Sequence, residues 1–201
     1  STSTCTIADR CSIFSPVLAD GPYGTASEEV FHYEVMVLVA AGIGVTPFAS
    51  ILKTLAHQAK ADKLETPLKK VAFYWVCRDE REFMSFKDIM IGIVEDKAIS
   101  DIFELNTYLT GEINLKTISA DEKYHQFAGR PSWDRIGKKL ADDYPGTDVG
   151  VFLCGPDAIA HQLSAMCKKM NPKVERRASV TSTVPEVHKK QGKFVFHKEN
   201  F

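Results

Sequence analysis

The residues that could do chemistry begin with Ala41-Gly42-Ile43-Gly44-Val45-Thr46-Pro47. Two glycines stand one residue apart at the junction between the apolar run Glu34–Val39 and an amphipathic segment. A glycine-rich turn there lets backbone approach a diphosphate, and the exposed N–H groups and dipole of the helix start favour negative charge. The pattern is G-x-G-x-x-P rather than the dinucleotide fingerprint G-x-G-x-x-G. Proline suits the first helical turn, where its missing N–H would have no intrahelical partner. The other reading is a tight strand-to-helix turn with no ligand.

In open α/β sheets, ligands bind beyond the carboxyl ends of the strands. The second expected strand ends at Val76-Cys77-Arg78-Asp79. An acid near this place accepts a ribose 2′-OH, whereas an arginine accommodates a 2′-phosphate, so Arg78 points to NADPH over NADH. Its alternative is an exposed arginine paired with Asp79 or Glu82. A later strand ends Phe152-Leu153-Cys154-Gly155-Pro156, with Asp157 opening a helix. Cys154 is expected to reach the same crevice, Gly155 to permit close approach, and Pro156 to start the helix. The alternative for Cys154 is a buried thiol filling a strand end. No histidine lies nearby in sequence to make it a thiolate nucleophile.

These residues need elements to hold them. The continuous apolar run Glu34–Val39 has the profile of a strand buried on both faces, as in a parallel sheet covered by helices. From Pro47, the positions Phe48, Ile51, Leu52, Leu55, Ala56 and Ala59 line one helix face. Strands are expected at Lys70–Val76, Phe103–Leu109, Val149–Cys154 and Phe194–Phe196, and helices carrying Phe83–Val94, Ile136–Tyr144 and Ile159–Met170. Five strands alternating with helices predict an α/β fold, a doubly wound five-stranded parallel sheet of Rossmann-like type. Two stretches resist this scheme: Thr110–Ser132 shows no clear period, and the polar, proline-bearing Asn171–Gly192 reads as a mobile loop.

The chain has 201 residues, 44% hydrophobic and 25% charged, with formal net charge −1. That is one ordinary globular domain, with no global field favouring nucleic acid or an acidic membrane. The longest nearly unbroken apolar stretch, Val35–Val45, falls well short of the roughly 20 residues that cross a bilayer. The first residues carry no basic-then-apolar leader. Five cysteines are scattered, without a C-x-x-C pair or a histidine at zinc-ligand spacing. Free thiols in a reducing compartment, and no metal site, are the expectation.

Taken together, the strings Asp20–Ser27, Gly42–Leu52, Phe73–Asp79, Gly129-Arg130-Pro131 with Trp133, Gly150–Pro156 and Lys198-Glu199-Asn200-Phe201 resemble the ferredoxin–NADP reductase superfamily. More narrowly, they resemble the NADPH-binding C-terminal domain of phagocyte-type NADPH oxidases. The likeness covers roughly residues 16 to 201 and rests on the order and spacing of the strings. It implies that Gly42, Gly44, Val45, Thr46 and Pro47 hold the pyrophosphate of NADPH and shape the nicotinamide crevice. It implies that Arg78 binds the 2′-phosphate with Arg130 as a second cation, that Cys154 and Gly155 sit under the nicotinamide, and that Pro156 belongs to the same cofactor-binding set. Phe201 matches a terminal aromatic that stacks on a flavin and moves aside for nicotinamide, with Glu199 near it. A frayed terminus is the other reading of Phe201.

The resemblance further implies hydride transfer to FAD held by a neighbouring domain, with electrons passing through haem to dioxygen to give superoxide. The flavin-binding barrel is missing except for its closing segment Asp20–Gly24, as are membrane helices and haem-ligating histidines. The chain is therefore expected to be a fragment, inactive alone, soluble, and in the full-length protein held at the cytosolic face of a membrane. Residues 1–19 read as a flexible arm or a remnant of a preceding domain, and 20–201 as the NADPH-binding domain. Expected partners are the FAD and haem domains of the same full-length chain and cytosolic regulators. A ferric or flavin reductase would share this half-module. A regulator-docking module is a third reading, using the loops at Thr110–Ser132 and Asn171–Gly192. Arg176-Arg177-Ala178-Ser179-Val180 resembles a basophilic kinase site, against the plainer reading of a solvated charge run.

Overall fold

The computed structural model describes residues 29–61, 63, 68–78, 80–111, 124–171 and 192–199. Strand β1, Val35–Ala41, leads through a short 3-10 turn at Gly42–Gly44 into helix α1, Val45–Lys60. Strand β2 (Lys70–Cys77), helix α2 (Glu80–Val94) and strand β3 (Phe103–Leu109) follow. Strand β4 is Tyr124–Ala128, helix α3 Trp133–Asp143, strand β5 Val149–Cys154, helix α4 Asp157–Met170 and strand β6 Phe194–Glu199. All strands pair in parallel, in the order β4-β3-β2-β1-β5-β6.

Among the described residues the sheet thus has six strands where the sequence pattern predicts five. The additional one, β4, lies inside the stretch without a clear period. Among the described residues it is an edge strand hydrogen-bonded only to β3, and His125, Phe127 and Ala128 are all exposed. A short edge strand has little buried face to impose an apolar pattern on its sequence. Two further differences concern boundaries. Helix α1 begins at Val45, two residues before the proline, and β6 runs three residues beyond Phe196 to Glu199.

The apolar run of β1 is buried on both faces, as its composition required. Met36, Leu38 and Ala40 face one cluster with Phe48, Leu52 and Leu55 of α1 and Met90 of α2. Val35, Val37 and Val39 face a second cluster with Leu140 of α3 and Leu163 and Met166 of α4. Burying each large aliphatic side chain contributes roughly 1.5–3 kcal/mol, so this central strand anchors both layers. Chain order then fixes where a crevice can open. The strands β1 to β4 build outward in one direction, and the chain returns to lay β5 and β6 on the other side of β1. The direction reverses between β1 and β5, the switch point where crossover loops diverge and leave a cleft at the carboxyl edge.

Candidate functional site

At that switch point lies a cleft of about 580 Å³. Ala41, Ile43, Gly44, Thr46 and Pro47 line it from the passage between β1 and α1, Cys154 and Gly155 from the end of β5, and Lys198 and Glu199 from β6. The glycine turn and the Cys-Gly-Pro strand end, 110 residues apart in sequence by the Gly44–Cys154 pair (154 − 44), form opposite sides of one space.

The two glycines serve different needs. Gly42 has φ +54°, a left-handed conformation that a side chain would strain. Gly44 has an ordinary helical backbone, φ −59°. What excludes a side chain there is space: a β-carbon would be driven into the Cys154 carbonyl and lie 2.9 Å from Cys154 Sγ. At Gly155 a β-carbon would stand 3.0 Å from that of Ala41. Gly44 and Gly155 therefore let the turn after β1 and the end of β5 close on each other beside the cleft.

Beside the cleft the turn is pinned from two directions. The Thr46 hydroxyl donates to the Ile43 carbonyl at 3.0 Å, and Trp75 Nε1 of β2 donates to the Gly42 carbonyl at 3.1 Å. Pro47 falls in the first turn of α1, where it removes no helical hydrogen bond. Val45 puts its side chain fully into the core, so backbone is what it offers the turn. Pro156 is the residue that caps α4 and is exposed, next to the cleft but not lining it.

Cys154 is 7% exposed and stands directly across the β5–β6 ladder from Glu199. Burial, and then the Glu199 charge, push its thiol above the ordinary range. It is held as a neutral thiol, which suits an apolar wall and not a nucleophile. Lys198 pairs with Asp157 at the start of α4, and that ammonium holds the Asp157 carboxyl below the ordinary range. Lys198 and Glu199 join the cleft because β6 continues to Glu199. A strand ending at Phe196 would leave Lys198 outside the sheet, so the sequence pattern gives it no place in the site beyond its membership of the terminal string.

Neither arginine lines the cleft. Arg78 is exposed at the end of β2, the strand beside β1, and its backbone N–H donates to Glu82 Oε2 at 2.8 Å. Contact with Glu82, the alternative reading of this residue, is here made by its main chain. Arg130 is exposed just beyond β4, two strands further out, about 10 Å at roughly 4.8 Å per strand. Cleft, Arg78 and Arg130 therefore follow one another along the same carboxyl edge. Phe201, Asn200, Asp79, Ser179, the segment Asp20–Ser27, residues 1–19, Cys5 and Cys11 lie outside the described residues, as do all but the ends of the 171–192 loop. Among the described residues no helix is long and apolar enough to cross a membrane.

The family model "Ferric reductase NAD binding domain" matches residues 33–168. The chain is 40% identical over 165 residues to NADPH oxidase 3 of Homo sapiens, covering 74% of this chain and 29% of that protein. It is 43% identical over 162 residues to a superoxide-generating NADPH oxidase heavy chain of Dictyostelium discoideum, covering 74% and 31%. Against NADPH oxidase 3 of Rattus norvegicus the identity is 35% over 210 residues, covering 96% and 34%. The chain thus spans about a third of the length of these relatives.

Proposed function

The chain belongs to the ferric reductase NAD-binding domain family, and on that premise we propose that it is the NADPH-binding part of a flavohaem NADPH oxidase. The observation that carries this reading is the cleft at the switch point, where the glycine turn after β1 and the Cys154-Gly155 end of β5 meet, packed too closely for a side chain at Gly44. In this reading the turn of Gly42, Gly44, Val45 and Thr46 at the start of α1 receives the diphosphate through main-chain N–H groups, and Pro47, which has no N–H, shapes the crevice beside it. Arg78 neutralises the 2′-phosphate, with Arg130 the outer cation. Cys154 and Gly155 form the wall beneath the nicotinamide, and the raised thiol pKa keeps that wall uncharged. Lys198, paired to Asp157, ties the end of β6 to α4 and so holds Glu199 opposite Cys154.

NADPH, when bound, supplies a hydride from its reduced nicotinamide. This chain's residues bind and orient it and keep the site dry, and hydride transfer asks no general acid or base of them. Phe201 in this reading covers the nicotinamide position until substrate displaces it. The acceptors belong to the rest of the protein: FAD in a preceding domain, then haem in a membrane portion, and dioxygen reduced to superoxide. The names and greater length of the matched relatives support that assignment. A position at the cytosolic face of a membrane and contact with cytosolic regulators through the 110–132 and 171–192 segments belong to the same reading.

Calorimetric or NMR titration of the chain with NADPH and NADH tests it. NADPH binding at least about tenfold tighter than NADH is expected, the size of one charge-assisted phosphate contact. Equal affinities would remove the role of Arg78, and binding of neither would remove the reading itself. A second reading, an NADPH-binding part of a ferric reductase, is favoured by the family's own description. It is separated by the product of the full-length protein, superoxide against ferrous iron.

A further inference from the structure

We infer that Trp75 is a positioning residue for the diphosphate site: its buried indole N–H holds the Gly42 carbonyl inward and so orients the turn that receives the ligand. This rests on the reading above that the turn between β1 and α1 binds a diphosphate.

Trp75 is fully buried in β2, directly across the ladder from Ala40. Its ring meets Phe86 of α2 edge-on at 6.2 Å. Its Nε1 reaches past the end of β1 to the Gly42 carbonyl, 3.1 Å away. Gly42 is the turn residue with positive φ, and glycine is the residue whose backbone has the widest choice of conformations. A bond from a rigid core side chain removes that choice. Because the peptide is trans, its C=O and N–H point in opposite directions. Drawing the Gly42 oxygen toward the core therefore aims the N–H of the same peptide, that of Ile43, away from it. Ile43 is 79% exposed and lines the cleft, so that side is the ligand's side.

Packing alone does not ask for tryptophan here. Phenylalanine and tyrosine also fill a buried strand position, but indole brings a donor and no acceptor, matched to the Gly42 carbonyl. The same strand leads three residues later to Arg78, so β2 sets both the turn and the cation beyond it.

The experiment removes the N–H and nothing else. Trp75 is replaced by its benzothienyl analogue in a Trp133→Phe background, with Trp75→Phe as a second variant. NADPH and adenosine 2′-monophosphate, which carries the 2′-phosphate but no diphosphate, are titrated by NMR against each protein and its parent. The expected result is NADPH binding weakened about tenfold, the scale of one lost hydrogen bond, with the monophosphate changed less than twofold. Unchanged NADPH affinity, or equal weakening of both ligands, overturns the inference, the second outcome meaning general loosening of the fold. A parent that binds neither ligand overturns the diphosphate reading and this inference with it.

Discussion

Gly44 is packed so closely on Cys154 that no β-carbon fits between them: it would enter the space of the Cys154 carbonyl, with the sulfur 2.9 Å away. This contact joins the turn after β1 to the end of β5 and sets the width of the cleft. Gly44→Ala must push apart two backbones, a movement that close-packed interiors resist at about 1–3 kcal/mol. Chemical denaturation should show that loss, and NADPH affinity should fall further than stability explains. A variant as stable as the parent, with unchanged affinity, would mean the cleft is wider than described.

Arg78→Ala should weaken NADPH about tenfold or more, since hydrogen bonds to charged groups are worth roughly 1.5–3 kcal/mol. NADH affinity should stay nearly constant. Arg130 stands two strands away, so Arg130→Ala should cost less than about threefold, and, since both cations serve one phosphate, the double variant need not equal the sum of the two. Paired titrations of the two single variants and the double variant check both statements.

Cys154, held above the ordinary thiol range by burial and by Glu199, should alkylate slowly at neutral pH. The rate should rise as pH climbs past the usual cysteine value of 9.0, because the thiolate is the reactive form. NADPH should protect it. Cys77 and Cys167 are buried more deeply, and burial pushes the Cys167 thiol up to about 12, so both should react later. Peptide mapping after timed iodoacetamide treatment reads all three. Cys154 labelling that ignores saturating NADPH would place the nicotinamide elsewhere.

Below the site, Lys70 of β2 meets Glu104 of β3 at 2.6 Å, both side chains about three-quarters covered. Burial pulls the Glu104 carboxyl up, but the bonds from Lys70 and Asn106 outweigh it, and the net shift is downward from 4.5. A carboxyl whose folded pKa is depressed stabilises the fold above its unfolded value, and that contribution is lost as pH falls through the folded value. Wild type should therefore lose about 1 kcal/mol more than Glu104→Gln on acidification below pH about 4.5, the scale of a partly buried pair. Urea midpoints from pH 6 to 3 measure the difference.

Much of this architecture is legible without coordinates. The unbroken apolar run of β1 and the 3.6-residue spacing of Phe48, Ile51, Leu52 and Leu55 are local signals, imposed because a strand buried twice and a helix buried once cannot be written otherwise. β4 is not legible, since an exposed edge strand leaves little trace in composition. Nor is the true end of β6, because Lys198 and Glu199 are polar residues held in the sheet by the ladder to β5.

The candidate site divides in the same way. Glycine spacing marks Gly42 and Gly44 as a turn that backbone chemistry could use, and the Cys154-Gly155-Pro156 string marks a strand end. The different reasons for the two glycines, one a left-handed φ and the other the nearness of Cys154, belong to the tertiary structure. So do the bond from Trp75 to Gly42 and the alignment of the cleft, Arg78 and Arg130 on one edge. Sequence by itself determined the kind of layers and the residues able to bind a diphosphate, because periodicity and backbone freedom are local properties. Which of them share a cleft was decided only by strand order, because the reversal beside β1 brings together segments that no local rule connects.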